Sequence, residues 1–285
     1  MYILFDIGGT KTRIASTKNG DEFSEPKIIR TPDSFEEWMG LFQDVVSKIV
    51  GDEAIEGIAG GVAGTFDKKN EILFHTSHLI HWSKKPVKKI LEDTFQAPVF
   101  IDNDSAIVGL GEMKYGAGRG FTIGAYITVS TGVGGARYIN GTIDKNSFGF
   151  EPGHQIIKMG DSIICPSCHH AGCLESLVSG SAIHNRLGKH PRDIHVAQFW
   201  KETAHTLSQG LYNTILHWSP DGIVLGGSMI TGDPAISVSD VREYLKEMMK
   251  IFPELPEIKK AELGDFGGIY GAMELLKQKK VFNKK

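Results

Sequence analysis

The chain opens on an apolar run, Tyr2 to Phe5, that closes on a carboxylate at Asp6. Ile7-Gly8-Gly9-Thr10-Lys11-Thr12 follows, then Arg13-Ile14-Ala15, a pattern that predicts strand, tight glycine turn and strand. The period then changes. Phe35, Trp38, Leu41, Phe42, Val45, Val46 and Ile49 recur three and four apart, which predicts a helix started by Pro32-Asp33-Ser34. Ile58 to Val62 reads as a buried strand that opens into a loop at Ala63-Gly64-Thr65, and Pro86 to Phe95 as a helix. Pro98 to Ile101 is a strand that delivers Asp102-Asn103-Asp104, with a helix predicted over Ser105 to Met113 and Asp104 at its capping position.

The second half repeats the alternation. Phe121 to Val129 is a long strand, broken by Ser130-Thr131-Gly132-Val133-Gly134-Gly135-Ala136 before a second strand from Arg137. Helices are predicted over Leu174 to Leu187, along the stripe Val196, Trp200, Ala204, Leu207, Leu211 and Ile215, and over Asp240 to Met249. Between them Gly222 to Leu225 is a buried strand opening into Gly226-Gly227-Ser228. Gly264-Asp265-Phe266-Gly267-Gly268 leads into a terminal helix through Leu276, and the last residues, KQKKVFNKK, read as a solvated tail. Strands alternating with helices place the chain in the α/β class. The two similar glycine turns suggest two related half-domains that grip one phosphate chain.

Composition narrows the function classes. A chain of 285 residues, 41% hydrophobic and 23% charged, is an ordinary globular protein of one large or two medium domains. A formal charge of -3 gives no electrostatic reason to invoke nucleic acid or an anionic membrane. With no bilayer-length apolar run and no secretory pattern, the expected location is the cytoplasm, where cysteines stay reduced.

The candidate chemistry lies in the turns and in one loop. Paired glycines let backbone N–H groups approach an anion, Thr10 and Thr12 add hydroxyls, and Asp6 could hold a hydrated Mg²⁺. Neither turn is a P-loop or a Rossmann fingerprint, because each leads into a strand rather than a helix. Asp104, at a strand end, could accept a proton from a substrate hydroxyl while Asn103 orients the substrate. Gly226-Gly227-Ser228 could pass under the base and ribose of a nucleotide. All three cysteines fall within residues 151–175, at Cys165, Cys168 and Cys173, with His154 shortly before them. That spacing fits a closed tetrahedral zinc site of structural type, with His169 and His170 as spare candidates for the fourth ligand. Glu151 and Glu175 bracket the loop and can offer fixed acceptors to a ligand rich in hydroxyls. His75, His78 and His81 recur at intervals of three, a spacing that could make a metal triad but that scattered loop histidines explain better.

DIGGTKTRIA, IDNDSA, TVSTGVGGA, EPGH, GCLE, IVLGGSM and LGDFGGIYGA occur here in one order. Together they resemble the ROK family of sugar kinases, within the actin/hexokinase/Hsp70-like ATPase superfamily. The resemblance implies an α/β chain of two actin-like (ribonuclease H-like) domains with a cleft between them. The smaller would comprise residues 1–106 and 272–285; the larger, residues 107–271, would carry the zinc loop. It further implies ATP held by Gly8, Gly9, Thr10, Lys11 and Thr12, by Thr131, Gly132, Gly134 and Gly135, and by Gly226 and Gly227 near adenosine. Asp6 would position Mg²⁺, and Asp104 would be the general base. Asn103, Glu151, His154, Glu175 and Gly64 would bind the sugar, with His154 also ligating zinc. The implied reaction is ATP-dependent phosphorylation of a hexose 6-hydroxyl, glucokinase-like, by a homodimer. N-acetylglucosamine, N-acetylmannosamine or fructose are the alternative acceptors. A sugar-responsive regulator is the alternative class, disfavoured because the sequence starts at the first phosphate strand. An activase-type ATPase is disfavoured by EPGH and GCLE. The family's usual cysteine pattern, C-x-C-G-x-x-G-C, is C-P-S-C-H-H-A-G-C here, with one residue inserted. Ala136 takes the place of a third glycine, Ala106 that of a common Asn, and His78 that of an Asn expected to contact sugar.

Overall fold

A computed structural model describes residues 1–69, 71–76 and 79–282. Strands β1 (Tyr2–Ile7), β2 (Lys11–Thr17) and β3 (Lys27–Arg30) precede helix α1 (Phe35–Val50). Then come β4 (Gly57–Val62), the hairpin β5 (Thr65–Asp67) and β6 (Ile72–His75), α2 (Val87–Phe95), β7 (Val99–Asn103) and α3 (Asp104–Tyr115). The later chain runs β8 (Ile123–Val129), β9 (Val133–Ile139), β10 (Thr142–Ile143), α4 (Leu174–Val178), α5 (Gly180–Leu187), α6 (Ala197–Trp218), β11 (Gly222–Gly226), α7 (Ser228–Thr231), α8 (Val238–Met248), β12 (Glu257–Lys260) and α9 (Gly267–Gln278).

Among the described residues the strands form two five-stranded sheets of one design, ordered β3-β2-β1-β4-β7 and β10-β9-β8-β11-β12. In each, the first three strands are antiparallel and the last two join in parallel. The chain divides into two compact units. The first takes Met1–Gly111, Lys145–Gly149 and the chain from Asp265 onward; the second takes Glu112–Asp144 and Phe150–Gly264. The division thus falls inside α3, where the resemblance implied one just after Ala106.

Each unit has its own core. In the first, α1 lays Phe35, Trp38, Phe42 and Val46 on Ile3, Phe5 and Ile14 of the sheet. Its N-terminus is closed by the Ser34 hydroxyl, which accepts from the Glu37 N–H. Helices α3 and α9 meet through glycine: a Cβ on Gly271 would stand 1.7 Å from the Ile107 carbonyl oxygen, and one on Gly111 2.5 Å from that of Gly267. In the second unit, α6 runs its stripe Trp200, Ala204, Leu207, Leu211 and Ile215 against Ile127, Ile223 and Leu225.

Two expectations need correction. The helix predicted over Leu174 to Leu187 is two helices, because Ser179 is extended at φ -71 and ψ 155 and its side chain caps α5 by accepting from Ala182 N–H. The terminal residues are not all a solvated tail. Helix α9 continues to Gln278, Tyr2 donates its hydroxyl to the Val281 carbonyl, and the Phe282 ring stands 4.5 Å from that of Tyr2. The edge-to-face contact of the two rings holds this end against β1.

Candidate functional site

The first unit sets two carboxylates on one guanidinium and a third close to the buried one. The β1–β2 register sets Asp6 directly opposite Arg13. Arg13 Nη1 lies 3.6 Å from Asp6 Oδ2, and its Nη2 donates to Asp265 Oδ1 at 2.9 Å. The Nε of Arg13 is buried without a hydrogen-bond partner. Asp6 is 9% exposed, and its carboxyl is pushed up to about 7. Burial is the largest cause and the Asp104 charge the next; Arg13 acts against both, and Asp265 adds to the rise. Gly268 opens the space for this arrangement, since a Cβ there would fall 2.5 Å from the Asp6 carboxyl carbon. The first turn of α9 can therefore lie against Asp6.

The glycine turn itself is pinned from behind. Gly8 N–H donates to the Lys11 carbonyl, and Thr31 N–H to that of Thr10. Gly8 and Gly9 are half-buried, Thr10 and Lys11 exposed. Thr12 lies differently: it is fully buried, accepting from Trp38 Nε1 at 3.0 Å and sharing a hydrogen bond with the Thr31 hydroxyl. Thr10 is the hydroxyl this turn presents to solvent, and Thr12 ties it to α1.

At the end of β7, Asn103 and Asp104 divide the work differently from the sequence expectation. Asn103 Oδ1 accepts from Ala106 N–H, so Asn103 caps α3. Its Nδ2 donates to the Gly64 carbonyl at 3.0 Å, which ties the loop after β4 to the start of α3. Asp104 is the first residue of α3, its Oδ1 accepting from Ser105 N–H at 2.7 Å. A Cβ on Gly61 would meet the Asp104 Cα at 2.8 Å, so the bare glycine of β4 lets that residue sit where it does. His75 and His81 are exposed and stand in no metal-ligating group among the described residues; His78 lies outside the described residues.

The second unit lines its turn with hydroxyls, and one carboxylate, Glu175, sits behind it on Val133 N–H. The turn between β8 and β9 is Ser130-Thr131-Gly132, whereas Gly134 and Gly135 lie within β9. A Cβ on Gly135 would stand 2.3 Å from the Tyr126 carbonyl oxygen, so packing demands that glycine. The break before α5 holds this turn: Gly180 N–H donates to the Ser130 carbonyl at 2.7 Å and Ser181 N–H to that of Thr131 at 3.2 Å. The third turn lies beside it, with Ser130 and Ser228 hydroxyls 3.0 Å apart. Gly227 has φ +85, and a Cβ there would meet the Val129 carbonyl oxygen at 2.3 Å. Gly226 closes β11 against the Tyr126 ring.

The cysteine loop closes on itself. The ligand atoms of His154, Cys165, Cys168 and Cys173 all lie within 4.8 Å of one another. Cys168 and Cys173 sulfurs are 3.9 Å apart, close to the edge of about 3.8 Å that a tetrahedron with Zn–S bonds of about 2.3 Å requires. His154 Nδ1 is buried without a hydrogen-bond partner, and its Nε2 is 3.8 Å from Glu151. Burial pushes the Cys165 thiol up to about 12. Cys173 comes down to about 7; burial opposes this, and the polar groups of His154 and Ser176 beside it outweigh it. The four residues fit zinc in number, type and spacing. His169 and His170 are exposed and outside the cluster, and His170 Nδ1 is 2.9 Å from the Cys168 carbonyl oxygen. Glu175, in the first turn of α4, accepts from Ser167 Oγ on one oxygen and from Val133 N–H on the other.

Comparison with known proteins decides the relationship. The ROK family pattern matches residues 2–279. The chain belongs to the ROK family. It is 32% identical to the fructokinase of Zymomonas mobilis over 204 residues, covering 68% of this chain and 67% of that one. It is 27% identical to the N-acetyl-D-glucosamine kinase of Pectobacterium carotovorum over 95% of this chain and 97% of that one. The crystal structure of a ROK family glucokinase from Streptomyces griseus in complex with glucose and AMPPNP superposes with a TM-score of 0.79 at 23% identity, covering 97% of this chain and 99% of that one. The fold is therefore the actin-like ATPase fold of ROK sugar kinases. Within it, sequence reading assigned no role to Arg13, Asp265, Gly268, Ser130 or Ser167. The hairpin register alone, which sets Asp6 across from position 13, carried a signal for Arg13.

Proposed function

We propose that this chain, an ATP-dependent sugar kinase of the ROK family, transfers the γ-phosphoryl group of ATP to the 6-hydroxyl of a hexose. Asp104 is the general base: it takes the proton of the attacking hydroxyl, help of a kind worth roughly 10²–10⁴-fold. Asn103 has both ends of its amide engaged, and so serves first to fix the backbone from which Asp104 emerges. Asn103, Gly64, Glu151, His154 and Glu175 are the acceptor-binding residues of this reading, and glucose, fructose and N-acetylhexosamines are its candidate acceptors.

The triphosphate is the ligand of two turns. In the first unit it meets Gly8, Gly9, Thr10 and Lys11; in the second, Thr131 and Gly132, with Gly227 beside adenosine. Asp6, Asp104 and Asp265, with Arg13 paired to the first and last, make a donor set suited to Mg²⁺, which when bound would neutralise charge on the transferring phosphoryl group. Asp6 is the residue that would hold it. Zinc in the cysteine loop would be structural, since His154 and three cysteines leave no open position. The exposed Ile156, Met159 and Ile164 near that loop support a homodimer, which sedimentation velocity checks.

The observation that carries the reading is the placement of Asp104 at a strand end and helix start, close enough to Asp6 to raise its carboxyl. The test is product identification. The protein is incubated with Mg-ATP and glucose, mannose, fructose, allose, N-acetylglucosamine or N-acetylmannosamine, and the phosphate is located by ³¹P–¹H correlation NMR. A sugar 6-phosphate is the expected product. Phosphate on another oxygen, or inorganic phosphate alone, contradicts the reading.

A further inference from the structure

Cys165-Pro166-Ser167-Cys168 spaces its cysteines by two residues. The hydroxyl this segment carries does not face solvent idly. Ser167 Oγ donates to Glu175 Oε1 at 2.8 Å, while Glu175 Oε2 accepts from Val133 N–H, also at 2.8 Å. The nearby Cys165 thiol is a weaker donor, 3.5 Å from the same Oε1. On the other side, a Cβ on Gly132 would lie 2.7 Å from Oε2, so the glycine of the turn admits the carboxylate. One carboxylate thus joins the cysteine loop to the second glycine turn, oxygen by oxygen.

We propose that Ser167 is a positioning residue, which acts through Glu175 to set both the acceptor subsite and the second glycine turn. The terminal torsion of a glutamate is broad and roughly two-fold, so one bonded oxygen leaves the carboxylate plane loose. A second donor on the other oxygen fixes the plane. That fixes where the remaining acceptor sites of Glu175 point, and it holds Val133 N–H, hence Gly132, in place. The proposal rests on the reading of Glu175 as an acceptor-binding residue for its first half; the link to the glycine turn stands on the hydrogen bonds alone.

The test compares S167A, S167T and the unmodified protein, all zinc-replete. Two readouts are taken: KM and kcat with the sugar that gives product, and calorimetric binding of AMPPNP with Mg²⁺, which needs no turnover. S167A is expected to raise the sugar KM and weaken AMPPNP binding, each by up to about tenfold, the scale of one hydrogen bond to a charged group. The kcat should change less than about threefold. S167T, which keeps the hydroxyl, should restore both. In an E175Q background S167A should cost almost nothing further, because the two residues act as one unit. Zinc content and melting temperature should match the unmodified protein. Unchanged KM and AMPPNP affinity in S167A overturn the proposal, as does a loss that comes with loss of zinc or is not rescued by threonine. If no sugar yields product, the kinase reading fails while the AMPPNP arm still decides the link from Ser167 to the turn.

Discussion

The two sheets share strand order and polarity, yet the two glycine turns they carry differ in the side chains at their strand ends. Counting back from the turn, Asp6 of β1 corresponds to Thr128 of β8. The first unit buries a carboxylate there, pairs it and Asp265 with Arg13, and sets Asp104 close enough to raise it. The second unit places a hydroxyl there and adds those of Ser130, Thr131 and Ser228, with Val133 N–H held by Glu175. One topology therefore yields a turn with carboxylates at its strand end and a turn with hydroxyls there, and side-chain chemistry at a few positions makes the difference. For phosphoryl transfer both are needed, because the phosphate charge must be neutralised and the phosphate placed.

The largest expected effect lies in the second unit. Metal in the His154, Cys165, Cys168 and Cys173 cluster is expected at one zinc per chain by elemental analysis. Removing it should cost local stability on the order of 10 kcal/mol, since zinc binding and folding of such loops are one event. Limited proteolysis after chelation should cut first within residues 151–175 while the first unit's core stays protected. Cleavage that begins in the first unit would break the comparison.

The next effect belongs to the acidic unit. Asp104→Asn should lower kcat by about 10²–10⁴-fold with AMPPNP affinity within a few-fold of the unmodified protein. Unchanged kcat removes Asp104 from the role of base.

Asp6→Asn separates stability from function. A carboxyl raised from 3.8 to about 7 binds its proton more tightly in the folded state. Its cost to stability is absent below about pH 4, grows through the interval and is complete above about pH 7. Asp6→Asn should therefore raise unfolding stability at pH 8 more than at pH 5, the full gain being at most about 4 kcal/mol. Activity should fall with it, because Asp6 is the proposed magnesium residue. In the unmodified protein the acid limb of kcat/KM should move to lower pH as Mg²⁺ is raised, since cation and proton compete. A limb that ignores Mg²⁺ contradicts that assignment.

Gly268→Ala carries the smallest effect, about 1–3 kcal/mol of destabilisation from overpacking. The added Cβ would press on Asp6 at 2.5 Å. Equal stability would mean that α9 can withdraw without cost.

Much of the architecture was legible from pattern, because strand and helix periods are local. Both strand–turn–strand units, the Asp102-Asn103-Asp104 strand end and the cysteine spacing stand in the sequence itself. What escaped was partnership. Arg13 reaches Asp265 across 252 positions, and no local pattern carries that. Thr12 looked like a second turn hydroxyl, but in the hairpin register it faces Ile7 and turns into the core beside Trp38. Asp104 looked like the cap of α3; one residue's difference gave that task to Asn103. Ser179-Gly180-Ser181 did carry a break signal within an apolar period, and the period concealed it.

The account is tested most directly by ADP release from Mg-ATP, measured with and without a hexose at the same protein concentration. It predicts release that depends on the sugar and saturates with it, and that falls to background when sugar is omitted. Release at the same rate without sugar would contradict it, because the acidic unit would then be activating water rather than a sugar hydroxyl.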